Sequence, residues 1–380
     1  MSSLDEKTTF NEIIRTKPKK IGLAVGSHSV GSSYTVSQAL NFCRSCQINL
    51  LIIDFGWVTW AWPNTDKNEI KTLIEKSKQA NISIWLMYRD RSSDHNLPHQ
   101  VYRDNTSDPS IICYSHQKCR HWSISWAQTL LDHYPGVEGM ILYNPRVLPD
   151  CCYCSKCIQD FEETTDIHKD PRSPNMTASE NQTWLVWRAE VLTNYMTKWQ
   201  EQILSTHDAL QTGIVIVPQT QGAMDLGQNI TALGTCLEVV CPFVVVHSDL
   251  GFNETVAGEV CIETKNLVPC DVIANIKIYG PYNNGELDII NAMLSSMRSN
   301  ADGFFIWSYD YLLEEGYNLE LIIKAYNEVQ NTEFPSTIAS TSADFPWTIM
   351  LNSLFPIAIV KKMIKPRTRM KIRAKNENFS

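Results

Sequence analysis

Short apolar runs alternate with longer amphipathic segments from residue 21 to residue 330. Eight of the runs read as strands: 21–25, 50–54, 83–88, 139–143, 213–217, 237–246, 272–278 and 303–307. Most are continuously apolar with no polar alternation, the pattern of parallel strands covered on both faces. Between them, apolar positions return at helical spacing. Trp122, Trp126 and Leu130 recur at i, i+4 and i+8 within 117–133, and Trp184, Trp187, Val191 and Tyr195 share one face of 181–204. Further helices are predicted over 66–81, 253–267, 285–300 and 316–329. The aromatic stripes read as core rather than as ligand platforms, because such faces are usually buried.

Eight βα units in about 310 residues predict an α/β fold, a (β/α)8 TIM barrel. A doubly wound open sheet is the second choice. It is disfavoured because Gly26, Gly31 and the serines between them lack the G-x-G-x-x-G spacing of a phosphate turn. Long insertions follow strand 3 (89–116) and strand 4 (144–181), and in a barrel both lie on the C-terminal face, where active sites are built. The domain plan is a polar leader (1–20), the barrel (21–330), a Ser/Thr-rich linker (331–344) and an apolar-then-basic tail (345–380).

Composition changes this picture at the ends. With 43% hydrophobic and 19% charged residues, the chain is globular and not disordered. The net charge of −8 is the sum of two unlike parts. Residues 361–375 hold eight Lys or Arg, and Glu377 is the only acid after Asp344, which leaves about −15 on the rest. So acidic a body excludes general nucleic-acid binding. Residues 345–360 are apolar but only 16 long and contain Pro346 and Pro356, short of the roughly 20 that span a bilayer. The tail suits peripheral contact with an anionic membrane or a docking partner; packing of its apolar part on the barrel is the alternative. The first 20 residues show no secretory-signal pattern, so a cytoplasmic protein is expected. Its 12 cysteines are then reduced thiols, and a Cys cluster points to metal.

That cluster exists. Cys152, Cys154 and Cys157 form C-x-C-x-x-C, with Cys151 adjacent. Thiolates at this spacing converge on one tetrahedral Zn²⁺, which needs a fourth donor from elsewhere. Cys113 and Cys119 are the nearest upstream candidates, and Cys113, at a loop position before a predicted helix, is the better placed. A site closed by four cysteines has no open position, so its zinc is structural and clips the strand 3 loop to the strand 4 loop.

The stretch 113–163 resembles the glycoside-hydrolase-type TIM barrels related to the zinc-binding, often trimeric β-galactosidases. The resemblance rests on Cys113 before a Trp-containing helix, on Tyr134-Pro135-Gly136-Val137-Glu138-Gly139, on Tyr143-Asn144-Pro145-Arg146, and on C-x-C-x-x-C with Phe161. Trp187-Arg188 is also similar to the W-x-x-W-R signature of related barrels. The close likeness covers some 50 residues. It implies Cys113, Cys152, Cys154 and Cys157 as zinc ligands, a carbohydrate ligand or substrate, and a homo-oligomer. It also implies one Glu after strand 4 and one after strand 7, about 5–5.5 Å apart. Here those ends read Leu142-Tyr143-Asn144-Pro145-Arg146 and Ile276-Lys277-Ile278-Tyr279-Gly280, with no carboxylate.

Other strand-end carboxylates are available. Asp54 closes strand 2 and Asp310 follows strand 8; both strands neighbour strand 1, so the pair is the candidate for acid/base work on a glycosidic bond. Candidate sugar contacts are the aromatics Trp57, Tyr143, Tyr279, Trp307 and Tyr309, with Arg89, Asn144, Arg146 and Gln219 for hydroxyls. Lys277, inside strand 7, reads as a buried paired lysine or a Schiff-base former; the absence of a phosphate loop favours the paired reading. A glycosidase, a barrel that binds sugar without cleaving it, and a membrane-peripheral scaffold are the three functions in competition.

Overall fold

The structure is a computed structural model and describes residues 19–218, 220–245, 256–278 and 286–332. Eight parallel strands close into a barrel: β1 (Lys20–Gly26), β2 (Leu50–Trp57), β3 (Ser83–Arg89), β6 (Gly139–Tyr143), β7 (Gln211–Ile216), β8 (Val239–Val245), β9 (Asp271–Lys277) and β10 (Gly303–Trp307). Each pairs with its sequence neighbour, and β10 closes on β1 with Gly22 opposite Phe305. The fold is the (β/α)8 barrel expected from the apolar runs. The predicted tail and most of the linker and of the leader lie outside the described residues.

The pleat sends alternate side chains inward. Small residues face large ones there. A Cβ on Gly139 would lie 2.5 Å from the Trp85 ring, and one on Gly22 would lie 2.7 Å from Cβ of Phe305. Both glycines are therefore required by close approach, and Trp85 and Phe305 fill the space they leave. Below them Lys20 lays its ammonium 4.7 Å from the Trp85 ring centroid.

Helices cover the outward face. Among them are α1 (Val36–Ser45), α2 (Val58–Asn64), α3 (Lys67–Gln79), α4 (Gln117–His133), α5 (Ser155–Thr165) and the 27-residue α6 (Ala178–Leu204). Thr177 caps α6 in a capping box with Glu180, and the helix buries Trp184, Trp187, Tyr195 and Trp199. These aromatics are core, as expected. Trp199 Nε1 donates to Tyr88 Oη at 2.8 Å, and Tyr195 Oη donates to Ser123 Oγ at 2.6 Å. Tyr88 thus points out of the barrel into the helix layer.

Helices α1, α2 and α5 were not among the predicted elements, and neither was a hairpin. The insertion after β3 contains an antiparallel hairpin, β4 (His99–Val101) with β5 (Ser107–Ile112). It presents Gln100 and Cys113 toward the loop after β6. No helix among the described residues is long and apolar enough to cross a membrane.

Candidate functional site

The loop after β6 is built around four thiols. The sulfurs of Cys113, Cys152, Cys154 and Cys157 all lie within 4.8 Å of one another. Individual separations are 3.4 Å for Cys113–Cys157, 3.7 Å for Cys113–Cys152 and 3.8 Å for Cys113–Cys154. A tetrahedral ion with metal–sulfur bonds of about 2.3 Å sets its ligands about 3.8 Å apart, so the cage fits such an ion. Cys119 stays outside, its thiol donating to the Pro98 carbonyl.

Local folding makes the cage. Cys154 caps α5 and accepts from the Cys157 amide at 3.4 Å, while Cys152 accepts from the Val101 amide of β4 at 3.3 Å. Amide donors favour the thiolate. His116 Nε2 and Ser115 Oγ lie 3.6 Å from Cys154 and 3.1 Å from Cys157. Hydrogen bonding from Cys113, then from the other sulfurs, holds the Cys154 thiol far below its ordinary value; hydrogen bonding with Cys152 first among its neighbours pushes Cys113 well above. Four such groups ionise together only around a cation.

Three buried side chains stitch this loop to the barrel. Gln100 Nε2 donates to the carbonyls of Ile112 and Arg146, and its Oε1 accepts from the Leu148 amide. Arg188 donates to the carbonyls of Leu148 and Asp225. Gln228 accepts from Val217 N and donates to Asn144 Oδ1 and the Pro145 carbonyl. Tyr153 stacks on Trp184 at 5.5 Å, and Trp184 on Trp187 at 5.0 Å, closing the cage from the α6 side.

The second cluster lies at the C-terminal end of the barrel. Trp307 Nε1 donates to Asp54 Oδ2 at 2.7 Å, and Asp54 Oδ1 accepts from the Gly56 amide. Arg89 places an N–H nitrogen 3.9 Å from Asp54 and its guanidinium 4.4 Å and 5.0 Å from the rings of Tyr143 and Trp307. Lys277 Nζ sits 5.1 Å from the Phe243 ring and 5.4 Å from the Trp307 ring. Burial first, then Arg89 and Arg146, push Lys277 down to about 7. Burial, then Arg91, bring Arg146 down to about 9.

Asp310 is buried behind β1. Its Oδ2 accepts from Gly26 N at 2.7 Å and Ser308 Oγ at 3.0 Å, and its Oδ1 accepts from Tyr34 Oη at 3.3 Å. Asp54 is the register partner of Gly26, so the two carboxylates flank that glycine.

The structure gathers Asp54, Arg89, Tyr143 and Trp307 into one cluster. Tyr309 instead packs at 5.0 Å against both Tyr34 and Phe42 and is buried. Asn144 gives its side-chain oxygen to Gln228, and Trp57 lies under the Arg91 guanidinium at 5.4 Å. Gln219 and Tyr279 lie outside the described residues. Sequence reasoning missed Gln100, Gln228 and Asn275, which carry no motif. It also missed the pairing of His28 with Trp60, ring centroids 5.0 Å apart, the indole being 55% exposed on the rim.

No protein-family model matches the chain, and no curated protein matches it in sequence. Solved glycoside hydrolases match its backbone. The β-galactosidase of the psychrophilic Marinomonas ef1 gives a TM-score of 0.65 at 8% identity, over 82% of this chain and 59% of that one. The endo-β-1,4-mannanase of Thermotoga petrophila gives 0.52 at 12% identity, over 83% and 78%. That of Rhizomucor miehei gives 0.52 at 9%, over 82% and 94%. The chain shares the (β/α)8 barrel fold of these enzymes, and it spans about three-fifths of the length of the β-galactosidase.

Proposed function

We propose that this barrel binds carbohydrate at its C-terminal mouth without hydrolysing it by a two-carboxylate mechanism, and that the thiol cage holds a structural Zn²⁺. One observation carries the reading of the mouth: all four side-chain oxygens of Asp54 and Asp310 accept hydrogen bonds from the protein itself. Carboxyls held in this way are turned to the fold and have little freedom to approach a glycosidic oxygen. The ends of the fourth and seventh barrel strands, where retaining enzymes of this architecture carry glutamates, read Leu142-Tyr143-Asn144-Pro145-Arg146 and Ile276-Lys277-Ile278-Tyr279-Gly280, with no carboxylate. The aromatic floor of Tyr143 and Trp307 and the exposed Trp60 suit the apolar faces of sugar rings.

The cage supports zinc through its all-sulfur donor set and its sulfur spacing. With four thiolates the ion would have no open position. Its work would be to fix the hairpin and the loop after β6, and with them Arg146 and Asn144.

A second reading is hydrolysis by Asp54 and Asp310, favoured by their placement on either side of Gly26. The names of the solved neighbours motivate chromogenic β-galactosides and β-mannosides as test substrates. No turnover, with saturable binding of the parent sugars by calorimetry, is the expected result. Turnover that disappears in both Asp54→Asn and Asp310→Asn would establish the second reading.

A further inference from the structure

We propose that Arg188 is the buried counter-cation of the thiol cage: its guanidinium lines the same small cavity as three of the four sulfurs and offsets the charge of a metal–tetrathiolate centre. The inference rests on the zinc reading above and gives that site a positioning residue outside its ligand set.

Charge arithmetic sets the need. Four thiolates around one divalent cation leave two net negative charges on the centre. The stacked rings of Tyr153, Trp184 and Trp187 close it from the α6 side, and Cys113, Cys152 and Cys157 are buried. A charge of that size in a low-dielectric surrounding is costly unless a cation shares the site. The donors already at the sulfurs, the amides of Val101 and Cys157 and the Ser115 hydroxyl, are neutral dipoles. They spread the charge and do not cancel it.

Arg188 stands where the cation is needed. A cavity of about 10 Å³, room for at most one water, is lined by Cys113, Cys152, Cys157, Ser115 and Arg188. Arg188 is only 4% exposed. It donates to the carbonyls of Leu148 and Asp225, and its Nε is buried without a hydrogen-bond partner. No carboxylate pairs with it among the described residues. Burial lowers its pKa, and the groups that oppose this are Tyr153 and Cys151, then Asp225 and Cys152. A desolvated guanidinium without an ion pair is destabilising by itself, as is a desolvated dianionic centre. Set on two sides of one cavity, the two burial costs offset each other. Cys154, the half-buried sulfur, lines an outer groove instead, so the compensation comes from the α6 side alone.

Two measurements on the full chain test this. Competition with a chromophoric chelator gives the zinc affinity of the wild type, Arg188→Gln, Arg188→Lys and Lys156→Gln, the last an exposed loss of the same charge between two ligands. Affinity should fall about 10–100-fold in Arg188→Gln, return in Arg188→Lys, and stay within about twofold in Lys156→Gln. The reduction potential of the iron-loaded cage adds a readout that loosened packing does not supply. One electron takes Fe(III) to Fe(II) and the centre from one net negative charge to two, so a neighbouring cation favours the reduced state. The potential should therefore shift downward in Arg188→Gln and hold in Arg188→Lys, with Arg188→Met as the second neutral variant should the first fail to fold. An unmoved potential in the neutral variant overturns the inference and leaves the zinc reading standing. Equal loss of affinity in Arg188→Gln and Arg188→Lys assigns the residue to loop packing and overturns it as well. So does an equal loss in Lys156→Gln, because burial then contributes nothing. A wild-type chain that binds neither metal overturns both readings.

Discussion

Trp307 donates its indole N–H to Asp54 at 2.7 Å, tying the last barrel strand to the second across β1. The same indole lies beneath both Arg89 and Lys277. One side chain therefore orients Asp54 and lies beneath both cations.

Trp307→Phe keeps the ring and removes the donor. Asp54 stays buried with Gly56 N and the more distant Arg89. Loss of a hydrogen bond to a buried charged group costs about 1–3 kcal/mol. Denaturant unfolding should show a loss in that range with an unchanged m-value.

Gln228→Leu should cost more than a surface change, about 2–4 kcal/mol, because it strands Val217 N and the Pro145 carbonyl inside the protein. Asn144 also loses its partner, so the loop after β6 should loosen. Faster amide exchange over 144–150 would report this; unchanged exchange would deny Gln228 its positioning role.

Metal analysis of the purified chain should find one zinc per chain, bound to the four sulfurs now within 4.8 Å of one another. Stripping the ion with a chelator, or Cys154→Ser, should lower Tm by roughly 5 °C or more, since binding free energy is folding free energy here. Metal-free protein of unchanged Tm would remove the ion from the account.

Lys277 sets a pH dependence. Its folded value, about 7, lies below the ordinary 10.5. Between those two values the unfolded chain carries the extra proton, so stability rises with pH across that window and levels off at its lower value below about 7. Lys277→Met removes the buried cation. The variant should be more stable than the wild type at pH 6, by about 1–4 kcal/mol, and the gap should narrow by pH 9. A constant gap would mean that Lys277 does not titrate there.

The barrel was legible because strands covered on both faces leave continuous apolar runs, as in residues 50–53 of β2 and in Gly139–Tyr143. The thiol cage was legible because its spacing is itself the geometry. The hairpin was hidden: β5 begins Ser-Asp-Pro-Ser, and β4 has three residues, too few to show alternation. Parity at the strand ends was hidden as well. Tyr143 faces the mouth while Tyr88 faces the helices, and an apolar run does not say which residue takes which side. Asn275 sits in the run Asp-Val-Ile-Ala-Asn-Ile-Lys, where nothing marks its amide as buried and unpaired. Gln100, Gln228 and Arg188 work through carbonyls distant in sequence, a role no local pattern encodes.

The central claim is that the mouth binds sugar and does not cleave it. Incubating the full zinc-loaded chain with a library of neutral and acidic β-linked oligosaccharides, and following binding and products in the same sample by NMR, tests it most directly. The expected result is saturable binding with every glycosidic bond intact, broadened or shifted by ligand at Tyr143, Trp307 and Lys277. Released reducing sugar that scales with protein, or a library that leaves those resonances unmoved, would contradict it.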